Sequence, residues 1–163
     1  MNYTELFDYF KSERTRIVES FEKLPYEELE KNRELSFYSI KDVFLHTIDV
    51  EDAWLHYRRL GKPEHGFHPE RFHGLAEIKD YISEVDAKTN ALLPALTEED
   101  LKLDVHRKHS DGRETVYPLK DVLYHIPIEV IHHYGEIFAE FWKMNLDAPY
   151  LSYLKYSQAR SKT

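Results

Sequence analysis

The stretch LYHIPIEVIHHYGEIFAEFW, residues 123–142, has the apolar content of a core helix, yet it carries His125, Glu129, His132, His133 and Glu136 within a few turns. An α-helix turns about 100° per residue, so side chains four apart nearly superpose. His125, Glu129 and His133 therefore form one stripe, flanked by Val122, Ile126 and Ile137, at the edge of a core rather than in open solvent. His132 and Glu136 fall to one side of it. A glutamate and a histidine one turn apart can grip a single cation, because both donors project the same way. A third donor on the same helix drifts along the axis, so a third ligand is expected from elsewhere. Burying Glu129 without a partner is expensive, which favours a metal. The bland alternative is a structural Glu–His pair, since buried polar groups are ordinarily hydrogen-bonded.

Two further residues in this helix are unusual. Pro127 removes one amide and crowds the preceding turn, at about 3 kcal/mol unless compensated. It either kinks the helix near the site or is a tolerated irregularity. Gly135 lowers helix propensity and leaves room for the close approach of another helix or a second subunit.

Working outward, Pro118 opens this helix, a favoured first-turn position, and the helix runs to about Met144. A first helix is predicted from Thr4 to Leu24, where Leu6, Phe7, Phe10, Ile17, Val18 and Phe21 recur at helical spacing and Pro25 marks the end. A polar connector follows through Glu30 and Lys31. The second helix starts at Ser39–Ile40, with Asp42 completing a capping-box-like arrangement, and stops at Gly61. His46 lies early in it, beside Val43 and Val50 on the apolar stripe, and is the best supplier of the missing ligand. Residues 62–74, KPEHGFHPERFHG, read as a loop and as the crossover between bundle helices. The third helix spans Leu75 to Leu96 on the seam Ile78, Ile82, Val85, Thr89 and Leu92, with Pro94 disturbing its last turn. Ser110-Asp111-Gly112 is a turn between short extended arms, either a hairpin or an ordered loop.

Four long amphipathic segments predict an all-α fold, a four-helix bundle with one long crossover connection. A single domain is expected over 1–163, with 145–163 a C-terminal tail. In that tail Tyr150, Tyr153 and Tyr156 can pack back on the bundle, while residues 157–163 are expected to fray. Net charge is −8, which argues against nucleic acid as a partner. Cysteine is absent, so thiolate ligands and a cysteine nucleophile are excluded and a reducing cytoplasm is the expected setting. No signal peptide or membrane-spanning run is read in the chain. Glycine is low at 5 and histidine high at 10.

With His46, Glu129, His133 and Gly135 placed, the chain resembles the DinB/YfiT-like superfamily of metal-dependent enzymes. The resemblance covers nearly the whole chain in helix order, long connector and length. In that family one ligand histidine lies in the second helix, followed by an acidic residue and an aromatic; HTIDVEDAW, residues 46–54, is similar. The last helix of the family carries a histidine, a second four residues on, and then a histidine pair before Arg-Gly-Gln. Here the matching positions are His125, Glu129, His132-His133 and Tyr134-Gly135-Glu136. Glu129 thus stands where the usual middle histidine would be, Tyr134 replaces the common arginine and Glu136 the common glutamine.

The resemblance implies a divalent ion (zinc, nickel, iron or manganese) held by His46, Glu129 and His133, and a carboxylate is an acceptable replacement at any of these metals. His125, His132 and Glu136 are expected as alternative ligands or as partners that orient the ligands. The resemblance also implies open coordination positions, a homodimer and a small-molecule substrate. Members with known chemistry include thiol-dependent S-transferases, using a low-molecular-weight thiol, and a maleylpyruvate isomerase.

Other readings compete. Glu129 and His132 form an E-x-x-H pair as in di-iron bundles, but the second such motif, Glu70 to His73, lies in a loop. His65, His68, His73, His106 and His109 read as solvated, although His65 or His68 can border a substrate mouth. Trp54, Phe141 and Trp142 either line a pocket or belong to the core. The functional alternatives are a metalloenzyme of the transferase, isomerase or hydrolase type, and a noncatalytic, dimeric stress-related or binding protein with a polar core.

Overall fold

The computed structural model describes residues 3–63 and 66–161. The first helix, α1, runs Tyr3–Phe21 and fully buries Phe7, Phe10, Ile17 and Phe21 along one face. Burial of each such side chain contributes about 1.5–3 kcal/mol. Pro25 then begins a short helix, α2 (Tyr26–Glu30), which buries Leu29 and lies where the polar composition predicts only a connector. A tight turn follows. Arg33 donates its amide to the Tyr38 carbonyl at 2.9 Å, and Glu34 and Tyr38 adopt positive φ values of 56° and 78°. Such conformations are uncommon for residues with side chains. Here they present Ser36 and Phe37 toward the last long helix.

Helix α3 runs Ile40–Asp52, capped by Ser39 Oγ, which accepts the Asp42 amide at 3.1 Å as the capping-box reading predicts. It does not continue as a plain α-helix to Gly61. Residues Ala53–Tyr57 form a π-helical segment and Arg58–Leu60 a 3-10 turn. Gly61 then closes the element in the left-handed region at φ 62°. Among its described residues, the long connection 62–74 holds one short 3-10 turn, Pro69–Arg71, with Phe67 and Phe72 packed against the core. His65 lies outside the described residues. Helix α4, Leu75–Leu92, buries Ile78, Val85 and Thr89, and Pro94 converts its end into a 3-10 turn. The Ser110–Gly112 turn joins two antiparallel strands, β1 (Asp104–Lys108) and β2 (Glu114–Pro118), in the register His106↔Val116. The hairpin alternative is therefore the one observed.

Helix α5, Leu119–Lys143, is continuous through Pro127. It packs against both α1 and α3, burying Val122, Ile126, Val130, Tyr134, Ile137 and Phe141. Helix α4 closes the bundle, packing on α3, tied to α1 by Arg14–Asp86 and to the turn just after α1 by Lys79–Glu22. The tail is more ordered than expected. Tyr153–Arg160 form α6, and Tyr153 and Tyr156 set their rings 5.5 and 5.3 Å from Tyr9, so Ser157 to Arg160 are helical rather than frayed. Among the described residues no helix is long and apolar enough to cross a membrane.

The π-helical segment is anchored to α4 by His56, whose Nε2 lies 3.1 Å from Thr89 Oγ1. Burial pushes the His56 pKa below its ordinary value of 6.5, outweighing the pull of Asp52 and Glu51. As pH falls below 6.5 the unfolded chain takes up a proton here that the folded chain resists, so stability is lost toward the lowered folded pKa and is unaffected above the unfolded one. His56→Gln, which keeps a hydrogen-bonding group without titrating, is expected to show a smaller loss of urea resistance between pH 7.5 and pH 5.5 than wild type. Identical losses in the two proteins refute this role for His56.

Candidate metal centre

The apolar stripe of α3 carries His46 to the face packed on α5, and α5 delivers Glu129 and His133 from two successive turns. One donor atom from each of these three residues lies within 4.8 Å of the other two. The His133 Nε2 to Glu129 Oε1 separation is 3.5 Å. Donors on a tetrahedral ion with bonds of about 2.1 Å stand about 3.4 Å apart, so Glu129 and His133 already have that spacing and His46 closes the set from within 4.8 Å.

The rings are positioned by their neighbours. His46 and His133 meet edge to face with centroids 4.9 Å apart. Phe37 stacks on His46 at 3.8 Å and Phe67 meets it edge-on at 5.7 Å. Burial, reinforced by the neighbouring His133 ring and only partly opposed by Glu129 and Glu136, pushes the His46 pKa down to about 4. Its imidazole is therefore neutral at physiological pH, as a ligand must be.

His133 is buried and its Nδ1 lies 3.2 Å from Glu136 Oε2. Glu136 in turn accepts the Ser36 amide on Oε1 and the Ser36 hydroxyl on Oε2, both at 2.7 Å. Burial acts to raise the Glu136 pKa, but these hydrogen bonds and His133 outweigh it and hold the carboxyl below its ordinary value. A charged Glu136 places the His133 proton on Nδ1 and turns the Nε2 lone pair toward Glu129 and His46. This carboxylate–histidine arrangement is the one that orients metal-bound imidazoles. Three electron-rich atoms then face one another, a repulsive arrangement unless a cation or a proton lies among them. The donor chemistry therefore fits a divalent ion.

Of the other candidates, His125 does not join the group: it is exposed, with its ring 5.7 Å from Trp54. His132 is exposed as well and also stands outside the group, its ring 5.1 Å from that of His133, so the E-x-x-H pair does not converge. His68, His106 and His109 pair locally with Glu70, Glu114 and Thr115. Trp54 and Phe141 are buried, whereas Trp142 is exposed.

A cavity of about 320 Å³ opens beside His46, bordered by Phe37, Asp49, Tyr57, Arg58, Phe67 and Arg107. The sequence reading misses all six. Asp49 is signalled by its spacing, one turn beyond His46 on the same face. Ser36 and Phe37 carry no comparable signal, because their placement depends on the positive φ of Tyr38.

Comparison with known proteins agrees with this architecture. The model of the DinB family matches residues 1–159. A DinB-like protein from Bacillus cereus has a similar structure, with a TM-score of 0.67 and 17% sequence identity, over 92% of this chain and 95% of that one. No curated protein matches the chain.

Proposed function

Because the chain belongs to the DinB family, we propose that it is a metal-dependent enzyme in which His46, Glu129 and His133 hold a divalent ion and a small molecule reacts in the adjoining cavity. The observation that carries this reading is the convergence of three donors from two helices, with Glu136 Oε2 3.2 Å from His133 Nδ1. The leading reaction is transfer of a low-molecular-weight thiol to an electrophile. The ion supplies a lowered thiol pKa. Phe37 and Phe67 pack on His46 and line the same cavity. Asp49 lines that cavity and is the chain's candidate acceptor for the thiol proton.

Elemental analysis of protein purified without a histidine tag is the first test, with about one divalent ion per chain expected. The second is turnover of an electrophile in the presence of small thiols, lost on chelation and restored by metal. Metal-free native protein whose thermal stability is indifferent to chelators overturns the reading and leaves a noncatalytic polar core.

The proposal extends to a homodimer through the outer face of α5. Tyr124, Ile128 and Trp142 are exposed there, with Ile128 and Trp142 each 66% accessible. Gly135 lies on the same face, and a Cβ added to it meets nothing within the chain. Glycine inside a helix costs about 0.5–1 kcal/mol relative to alanine, and no contact among the described residues requires it. A second α5 packed closely on this face would. Ile128→Glu is expected to convert a dimer into a monomer in sedimentation equilibrium at micromolar concentration. A wild-type protein that sediments as a monomer contradicts the dimer.

A further inference from the structure

We propose that the cavity beside His46 binds the anionic end of its substrate, a carboxylate or phosphate, through Arg58 and Arg107. The proposal rests on the metal-site reading only for the other end of the ligand, the donor that would reach His46, Glu129 and His133.

The two cations come from different elements and converge on one indole. Arg58 places its guanidinium carbon 4.4 Å from the Trp54 ring centroid, and Arg107, from β1, lies 5.8 Å from the same centroid. Both line the cavity that His46 lines. Arg107 has no carboxylate within ion-pair distance among the described residues. An indole face holds a cation by its quadrupole, but it does not use the forked donors of the Arg107 guanidinium, which match a carboxylate or phosphate in a bidentate fashion. The volume, about 320 Å³, suits a small molecule.

The π-helical segment explains how Arg58 reaches this wall. At about 100° per residue, an unbroken α-helix from His46 sets position 58 about 120° away from it. Hydrogen bonds to the fifth residue lower the turn to roughly 80° per residue. Over the five residues Ala53–Tyr57 the lag is about 100°, which brings Arg58 back near the direction of His46. The helical irregularity thus aligns a cation with the metal ligand, about three turns apart on one element. Phe37 and Phe67 add apolar lining to the same cavity.

Calorimetric titration of the full chain tests this, with and without zinc, using mercaptosuccinate, 2-mercaptoethanol, succinate and inorganic phosphate as probes. The zinc-loaded protein is expected to bind mercaptosuccinate about tenfold or more tighter than 2-mercaptoethanol. Arg107→Gln is expected to erase that preference while zinc content stays unchanged, and Arg107→Lys to keep part of it. Succinate binding against phosphate binding identifies the preferred anion. Equal affinity for the charged and the neutral thiol, or a preference that survives Arg107→Gln, overturns the proposal and leaves the metal reading intact. Should zinc not bind at all, Arg107-dependent binding of succinate or phosphate still sustains the anion site, and its absence overturns it.

Discussion

Replacing His133 with alanine is expected to abolish stoichiometric zinc binding, lowering affinity at least 100-fold in chelator competition. The expected loss is this large because His133 is buried and its orientation is set by the Glu136 hydrogen bond. Its removal takes away one of the three proposed ligands and the one held by Glu136. His46→Ala is expected to act similarly, since it removes the sole donor from α3. Glu136→Gln leaves every ligand in place but replaces a charged acceptor with a neutral one, and losses of about 10–100-fold are typical of such partners. His125→Ala and His132→Ala are expected to bind like wild type, because neither side chain joins the converging donors. The order His133 and His46, then Glu136, then His125 and His132 is the result to look for. Metal content that survives His133→Ala, or that His132→Ala reduces as strongly, rules out this geometry. The wild type should also melt higher with zinc than with chelator, by an amount that corresponds to about 2.7 kcal/mol at a zinc concentration 100 times the dissociation constant.

Much of this centre is legible in the sequence, for a definite reason. The i, i+4 spacing of Glu129 and His133 obliges their donors to share a face once the segment is helical. The position of His46 on an apolar stripe obliges it to face another helix. The bundle is legible for the same reason, since the seams of α1, α3, α4 and α5 are long enough to show their period. What is not legible depends on backbone departures that leave no periodic trace. The π-helical turn at Ala53–Tyr57 redirects Arg58, and the positive φ of Tyr38 brings Ser36 onto Glu136. Short α2 is hidden by its acidic composition. Arg14 and Glu51 are a different case. Arg14 falls in the series Phe7, Phe10, Ile17, Phe21, and Glu51 in the series Phe44, Ile48, Leu55, so the spacing places each charge inside a core stripe.

That pair carries the other large effect. Arg14 is 1% exposed and Glu51 0%, and Arg14 Nη2 lies 2.6 Å from Glu51 Oε2. Arg14 Nη1 reaches Asp86 at 3.0 Å, so one guanidinium on α1 ties α3 and α4 together. Glu51→Leu is expected to destabilise the protein by about 3–5 kcal/mol in urea unfolding, because it leaves a buried arginine with only the half-buried Asp86 to compensate it. Against a total stability of about 5–15 kcal/mol for a domain of this kind, that is a large share of the total. The double replacement Arg14→Met with Glu51→Leu is expected to recover most of the loss, since both charges then avoid desolvation and methionine adapts to an irregular space. Two outcomes separate the explanations. If the double variant is as unstable as the single, the packing of these side chains matters more than their charge. If Glu51→Leu alone is nearly neutral, Asp86 is sufficient to balance Arg14 even though Lys11 lies 3.5 Å from the same carboxylate. The test has a bearing on the metal centre too. Glu51 lies on α3 one turn and a half beyond His46, so a variant that loosens α1 from α3 without changing any ligand is expected to weaken zinc binding far less than His46→Ala. A comparable loss of zinc from Glu51→Leu would mean that the alignment of α3 against α5 depends on the buried charges rather than on the apolar seam.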